Sequence, residues 1–253
     1  SENIHQLKTF YRDHALYMQT WSEIEKARHH HARQEYDSAK EHFEKAANLH
    51  KSLKQWSYLA PNYFAWAQVE NAEDLSRKEQ CEEAMQAFKQ AAQLFNETKK
   101  FIEAELNKIE DADERLMVMS LIKASGLRQE YCMARIALEE AKILDKKGDH
   151  YSSSQKYGSA AQTLEKIAQE ESEQDRKEFN LIICLCRAWQ KMMMAEAKAS
   201  STMYSEAAEL FRQANEYTLD QPTSLLALAN SSFCKALEAG TEFEITRDTA
   251  IFS

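Results

Sequence analysis

The sequence predicts an all-α protein of about nine helices. Its 253 residues include only four glycines and two prolines, whereas glycine alone makes up about 7% of ordinary chains. A β-sheet needs turns rich in Gly, Pro, Asn or Asp, and such clusters are scarce here. Apolar residues recur three and four positions apart almost throughout the chain, which is the spacing of an amphipathic helix. Long helices joined by short turns follow from these observations.

The apolar spacing predicts where each helix lies. The nine predicted helices span about 3–34, 37–58, 62–78, 81–107, 113–146, 150–172, 175–200, 203–218 and 223–239. Pro61 and Pro222 suit the first turn of the third and ninth helices, where a missing N–H costs no hydrogen bond. Gly148 directly follows two lysines, as expected just beyond a helix end. Gly240 is predicted to close the ninth helix.

The C-terminal segment, residues 241–253, alternates apolar and polar residues. This alternation is typical of extended backbone. We therefore expect either a tail that lies extended across the last helices or the cut edge of a longer chain.

A repeat emerges when the chain is aligned on four anchor positions, Tyr36, Cys81, His150 and Tyr204. Before the anchors, a mostly tryptophan column at −15 holds Trp21, Trp66, Arg135 and Trp189, an aliphatic or methionine column at −12 holds Ile24, Val69, Leu138 and Met192, and an alanine column at −9 holds Ala27, Ala72, Ala141 and Ala195. After the anchors, a column of small residues at +3 holds Ala39, Ala84, Ser153 and Ala207, an aromatic column at +7 holds Phe43, Phe88, Tyr157 and Phe211, and an alanine column at +10 holds Ala46, Ala91, Ala160 and Ala214. Each unit pairs a first helix, here called A, with a second helix, B. The alanines let the two backbones approach closely, while the aromatic side chain fills the space between neighbouring units.

The spacing of Ala27, Ala39, Phe43 and Ala46 resembles the tetratricopeptide repeat. The anchors are 45, 69 and 54 residues apart, whereas tetratricopeptide units recur near 34 residues. Such long helices are similar to the divergent tetratricopeptide-like group that includes the soluble NSF-attachment proteins. The resemblance implies one domain over residues 1–253, folded as a right-handed solenoid of antiparallel helices. Its four hairpins would span about 3–58, 62–107, 113–172 and 175–218, with a capping helix and tail at 223–253.

Composition and motifs argue against several classes of function. The net charge is −9, from 41 acidic and 32 basic residues, and there is no basic stripe of the kind that binds nucleic acid. No run of apolar residues is long enough to span a membrane. No phosphate-binding glycine loop, serine-hydrolase elbow, zinc-protease motif or EF-hand loop occurs. We therefore expect a non-enzymatic protein without cofactor or metal.

The five cysteines predict a reducing compartment. Cys81, Cys132, Cys184, Cys186 and Cys234 are odd in number and lie in apolar, helix-patterned stretches. They are expected to be buried, reduced thiols in a cytoplasmic protein rather than a disulfide framework.

Three consecutive histidines, His29, His30 and His31, are the most conspicuous candidates for chemistry. Adjacent helical residues point about 100° apart, so the three side chains cannot converge on one ion. A structural zinc site also needs three or four convergent ligands. Glu25 and Glu35 are spaced for local ion pairs with His29 and His31. The histidines are therefore interpreted as ordinary positions of one repeat unit, without a metal or catalytic role.

The predicted interaction surface is the face formed by the stacked A helices. Its candidate residues lie near position −8 and one helical turn later: Arg28, His31, Glu73, Arg77, Lys142, Lys146 and Glu196. Arg135 replaces tryptophan in its column. Its guanidinium could receive a partner's carboxylate, although pairing with a neighbouring glutamate on a solvated face is the alternative.

These observations favour a scaffold or adaptor that binds a protein or peptide through the concave face of the solenoid. The alternative is a ligand-sensing or regulatory helical region of a larger protein, which would enclose an apolar pocket. A third hypothesis, an α-helical enzyme using the histidine-rich first hairpin, would require three convergent titratable groups. Self-association is a further hypothesis for this class of fold.

Overall fold

The computed structural model of the protein describes residues 2–53, 56–106, 112–170, 172–218 and 221–247. Over these ranges all regular structure is helical. The α-helices are α1 (Glu2–Ala32), α2 (Tyr36–Ser52), α3 (Ala60–Arg77), α4 (Cys81–Leu106), α5 (Ala112–Lys146), α6 (His150–Glu170), α7 (Glu173–Lys198), α8 (Ser201–Tyr217) and α9 (Gln221–Thr246), and a short 3₁₀ helix, Ser57–Leu59, precedes α3. The all-α prediction and its count of nine helices are confirmed for the described part of the chain.

The chain forms two compact units, Ser1–Met133 and Ala134–Ser253, and α5 contributes residues to both. In the first unit α1 packs on α2, α2 on α3, and α3 on α4. In the second unit α6 packs on α7, α7 on α8, and α8 on α9. Consecutive helices are therefore neighbours in space within each unit.

The alanine columns lie in the core. All eight alanines at positions −9 and +10 are completely buried, and the aromatic residues at +7 are at most 6% exposed. In the first unit Ile24, Ala27, Phe43 and Ala46 form one cluster with Ala67 of α3. Close approach of the A and B backbones is what such small residues permit.

The turns that join each A helix to its B helix share one backbone conformation. The residues Gln34, Glu79, Gly148 and Ala199 all have positive φ, between 48° and 78°. In each turn the next amide donates to the carbonyl five residues earlier; the pairs are Glu35–His30, Gln80–Leu75, Asp149–Leu144 and Ser200–Ala195. A left-handed residue with this bond is the Schellman ending of a helix. Gly148 was predicted for this role, whereas the other three residues carry side chains and were not.

Two predicted boundaries are wrong. The second helix ends at Ser52 rather than near 58, because Leu53 is extended (φ −98°, ψ 103°) and buries its side chain. The ninth helix continues through Gly240 to Thr246. Thr241 Oγ1 donates to Leu237 O, as threonine does inside a helix. The expected extended tail is therefore helical as far as Thr246, and residues 248–253 lie outside the described part of the chain.

The five cysteines are free and buried, as predicted. Burial raises the pKa of the Cys234 thiol to about 11. A thiol in such surroundings stays protonated at neutral pH, so Cys234 acts as a small packing group.

Candidate functional site

The A-helix face of the first unit carries a compact polar group, here called the Tyr36 cluster: His31, Tyr36, Glu70, Asp74 and Arg77. His31 lies in the last turn of α1, Tyr36 begins α2, and the other three lie on α3. The left-handed turn at Gln34 reverses the chain between His31 and Tyr36. Glu70, Asp74 and Arg77 are three and four residues apart, so they share one side of their helix.

The Tyr36 ring contacts both basic side chains of the cluster. Its centroid lies 6.2 Å from the His31 ring, edge to face, and 5.1 Å from Cζ of Arg77. The Arg77 guanidinium donates to Asp74 Oδ1 at 2.7 Å and to the Gln34 carbonyl at 3.1 Å. A cation over an aromatic face and two directed hydrogen bonds leave this guanidinium little rotational freedom. Its side chain nevertheless remains 52% exposed.

The two carboxylates of the cluster have opposite pKa shifts. Glu70 is completely buried, and burial raises its pKa, although the hydrogen bond and charge of His31 act against that shift. The hydrogen bond joins His31 Nδ1 to Glu70 Oε2 at 3.1 Å, and the same nitrogen lies 2.8 Å from Oε1. Burial also acts to raise the pKa of Asp74, but hydrogen bonds from Lys78 and Arg77 outweigh it and hold the pKa below its usual value. Asp74 thus anchors two cations, whereas Glu70 is an acid buried beside one imidazole.

The remaining predicted residues of the first unit lie apart from this cluster. Arg28 donates to Glu25 Oε1 at 2.8 Å, and both side chains are exposed. Glu73 accepts a hydrogen bond from the Tyr131 hydroxyl at 3.0 Å. The structure therefore brings His31 and Arg77 to one site, with Arg28 on a separate surface pair.

The predicted residues of the second unit include Lys142, Lys146 and Arg135. Lys142 Nζ lies 2.8 Å from Glu139 Oε1, a carboxylate that is completely buried. Lys146 is exposed in the last turn of α5. Arg135 is half-buried near Cys186; burial raises the pKa of that thiol to about 12, and the positive charge of Arg135 partly offsets the rise.

A histidine–carboxylate network in the first unit was not predicted. The rings of His30 and His42 stack 5.3 Å apart at 6°. Each Nδ1 lies 2.6 Å from a carboxylate oxygen, His30 beside Glu35 and His42 beside Glu23. Glu25 and Glu35 therefore pair with Arg28 and His30, not with the histidines four residues away.

A signal for part of this network was present in the sequence. Glu23 and His42 are the chain neighbours of Ile24 and Phe43, which belong to one core cluster. The register of that packing brings Glu23 and His42 together. The stacking of His30 on His42 has no comparable sequence signal.

The described residues contain no group of three His, Cys, Asp or Glu side chains arranged to hold a metal ion. No helix in the same part of the chain is both long and apolar enough to cross a membrane. What the Tyr36 cluster offers is a set of oriented N–H donors beside an aromatic ring. Donors of this kind suit a carboxylate or a backbone carbonyl.

Comparison with protein-family models, with curated proteins and with solved structures gives no significant match.

Proposed function

We propose that the protein is a tetratricopeptide-like helical-repeat scaffold that binds a protein or peptide partner on the A-helix face of its first unit. The partner segment carries a carboxylate that the Arg77 guanidinium receives. The proposal extends the sequence-based expectation of a non-enzymatic adaptor and gives it a specific contact.

The observation that carries the proposal is the fixed, half-exposed guanidinium of Arg77. Asp74 and the Gln34 carbonyl accept its hydrogen bonds, and the Tyr36 ring packs against it. An arginine whose position is already fixed loses less side-chain entropy when it meets a carboxylate than a freely rotating one does. His31 also contacts the Tyr36 ring and is 49% exposed, so it adds a second polar contact for the partner.

The experiment compares Arg77→Gln with a matched variant, Arg212→Gln. Arg212 is also about half exposed and pairs with two glutamates, but it lies on α8, a B helix of the second unit. Wild type and both variants are used as bait for cell extract, retained proteins are identified by mass spectrometry, and their affinities are then measured with purified partner. Thermal unfolding of each bait checks that the variants are folded.

The expected result is a partner that wild type and Arg212→Gln retain and that Arg77→Gln binds at least tenfold more weakly. Loss of a buried charge contact at an interface has an effect of this size or larger. Equal affinity of the two variants for the partner would refute the assignment to this face.

A second candidate is the ligand-sensing region, whose ligand would bind in a cleft of about 530 Å³ beside α1, although this cleft is open to the surface rather than enclosed. The cleft is lined by His5, Gln6, Thr9, Phe10, Asp13, His14 and Trp56. This function predicts a rise in thermal stability with a small molecule, and the rise would be the same in wild type and in Arg77→Gln.

A further inference from the structure

Helix α9 has one buried side, which packs on α8. Ala227, Ser231 and Cys234 are at most 5% exposed and follow a four-three spacing, so they lie on one side of the helix. Ser231 Oγ donates to the Ala208 carbonyl of α8 at 2.8 Å. This contact fixes the register of α9 on α8.

A hydrogen bond joins the equivalent positions one unit earlier, but there the donor lies on the B helix and the acceptor on the A helix. Ser154 Oγ of α6 donates to the Gln190 carbonyl of α7 at 2.9 Å. Ser154 and Ala208 both stand four residues after their anchors, His150 and Tyr204. Ser231 of α9 therefore corresponds to Gln190 of α7, an offset of 41 residues.

One side of each A helix faces the B helix of the same unit. The 41-residue offset identifies the corresponding side of α9. Ala188, Met192 and Ala195 of α7 map onto Ala229, Phe233 and Ala236 of α9, which preserves the order of small, large apolar and alanine. The three residues of α7 are at most 7% exposed. Those of α9 are all exposed, with Phe233 at 53%, and Leu225 and Leu226 extend the exposed apolar surface by one turn.

Within the molecule, B helices cover the equivalent positions of the A helices. Ile24 and Ala27 of α1 cluster with Phe43 and Ala46 of α2. Ser153 Oγ of α6 donates to the carbonyl of Ala141, the −9 alanine of α5, at 2.9 Å. These interfaces show what kind of helix fits such a surface.

We propose that Leu225, Leu226, Ala229, Phe233 and Ala236, here called the α9 face, form a second docking surface whose occupant is an amphipathic helix of the B type supplied by another polypeptide. That helix carries a stripe of a small residue, an aromatic residue four positions later and an alanine three positions after that. We choose this occupant because the α9 face repeats the arrangement of residues that the protein's A helices pack against its own B helices. Among the described residues no helix lies over it.

The test uses a peptide of this chain as the probe. A fluorescein-labelled peptide of residues 82–100, which carries the stripe Ala84, Phe88 and Ala91 of α4, is titrated with the full chain and followed by fluorescence polarisation. A Phe88→Glu peptide is the control on the probe. On the protein, Phe233→Glu is compared with Phe101→Glu, since Phe101 of α4 is also an exposed phenylalanine, 50% exposed.

Saturable binding to wild type and to Phe101→Glu is expected, with at least tenfold weaker binding for Phe233→Glu and for the Phe88→Glu peptide. Both protein substitutions are at exposed sites, and circular dichroism checks that their helix content is unchanged. No saturable binding to wild type, or equal binding to the two protein variants, overturns the proposal.

Sedimentation of the chain alone is a further test: self-association that Phe233→Glu abolishes would assign the α9 face to a second copy instead. These results do not depend on Arg77, so they stand apart from the test of the proposed function.

Discussion

His31 of α1 reaches across to Glu70, a completely buried carboxyl on α3, with Nδ1 2.8 Å from Oε1. The contact links two A helices at the centre of the Tyr36 cluster. Removing the partner of a buried carboxyl destabilises a protein strongly, because the carboxyl is then left without compensation for its lost hydration.

His31→Gln should therefore destabilise the protein at pH 7 by about 1–3 kcal/mol. In a Glu70→Gln background the same substitution should cost much less, because the buried group is then uncharged. Urea unfolding of the two single variants and the double variant measures this coupling as a double-mutant cycle. Additive effects would show that the contact contributes nothing to stability.

The raised pKa of Glu70 also predicts a pH dependence. Burial makes the folded chain hold the Glu70 proton more tightly than the unfolded chain does. Its contribution to stability is therefore full below its ordinary pKa of about 4.5 and is lost as the pH rises through the folded-state value. Glu70→Gln should accordingly gain stability relative to wild type between about pH 4 and pH 7. Parallel stability curves over that range would contradict the shift.

His50 predicts the opposite dependence on pH. It is 1% exposed, stacks on Tyr63 at 5.2 Å, and burial lowers its pKa to about 4. Because the unfolded chain takes up this proton first, stability should fall as the pH drops from 6.5 to 4, by at most about 1.4 kcal/mol per pH unit. His50→Phe keeps a stacking ring without a titrating group. Urea unfolding at several pH values should show a shallower acid-side loss in this variant, and an unchanged slope would exclude His50 as the cause.

Two glycines predict opposite responses to alanine. Gly148 has a φ of +78°, where alanine is strained, so Gly148→Ala should cost about 1–2 kcal/mol. Gly240 lies inside α9, and an added Cβ would meet nothing within 4 Å. Gly240→Ala should therefore stabilise the protein by about 1 kcal/mol. Thermal unfolding measures both changes, and destabilisation by Gly240→Ala would restore the sequence-based view that Gly240 ends the helix.

The core columns were predictable because they depend only on helix geometry. Ala27 and Ala46 recur at fixed distances from the anchors, and a 3.6-residue period places such positions on one side of a helix. Their complete burial follows from packing one periodic face on another. The turns were less predictable, because Gln34, Glu79 and Ala199 adopt a backbone conformation that sequence reasoning assigns to glycine. The bond from the next amide to the carbonyl five residues earlier holds each of them there.

The candidate sites show a similar division. Position in the repeat was enough to select His31 and Arg77 as surface candidates. It could not show that Tyr36 contacts both of them, nor that His30 stacks on His42, because these contacts join side chains from different helices.

By itself, the sequence determined the helical class, the number of helices and the residues that fill the core, because hydrophobic periodicity and the scarcity of turn residues are local properties of the chain. Tertiary structure alone decided which polar side chains meet, how far α9 extends and which of its sides packs on α8. Those features depend on the register between helices, and register is set by packing contacts between residues far apart in the chain, which no local pattern encodes.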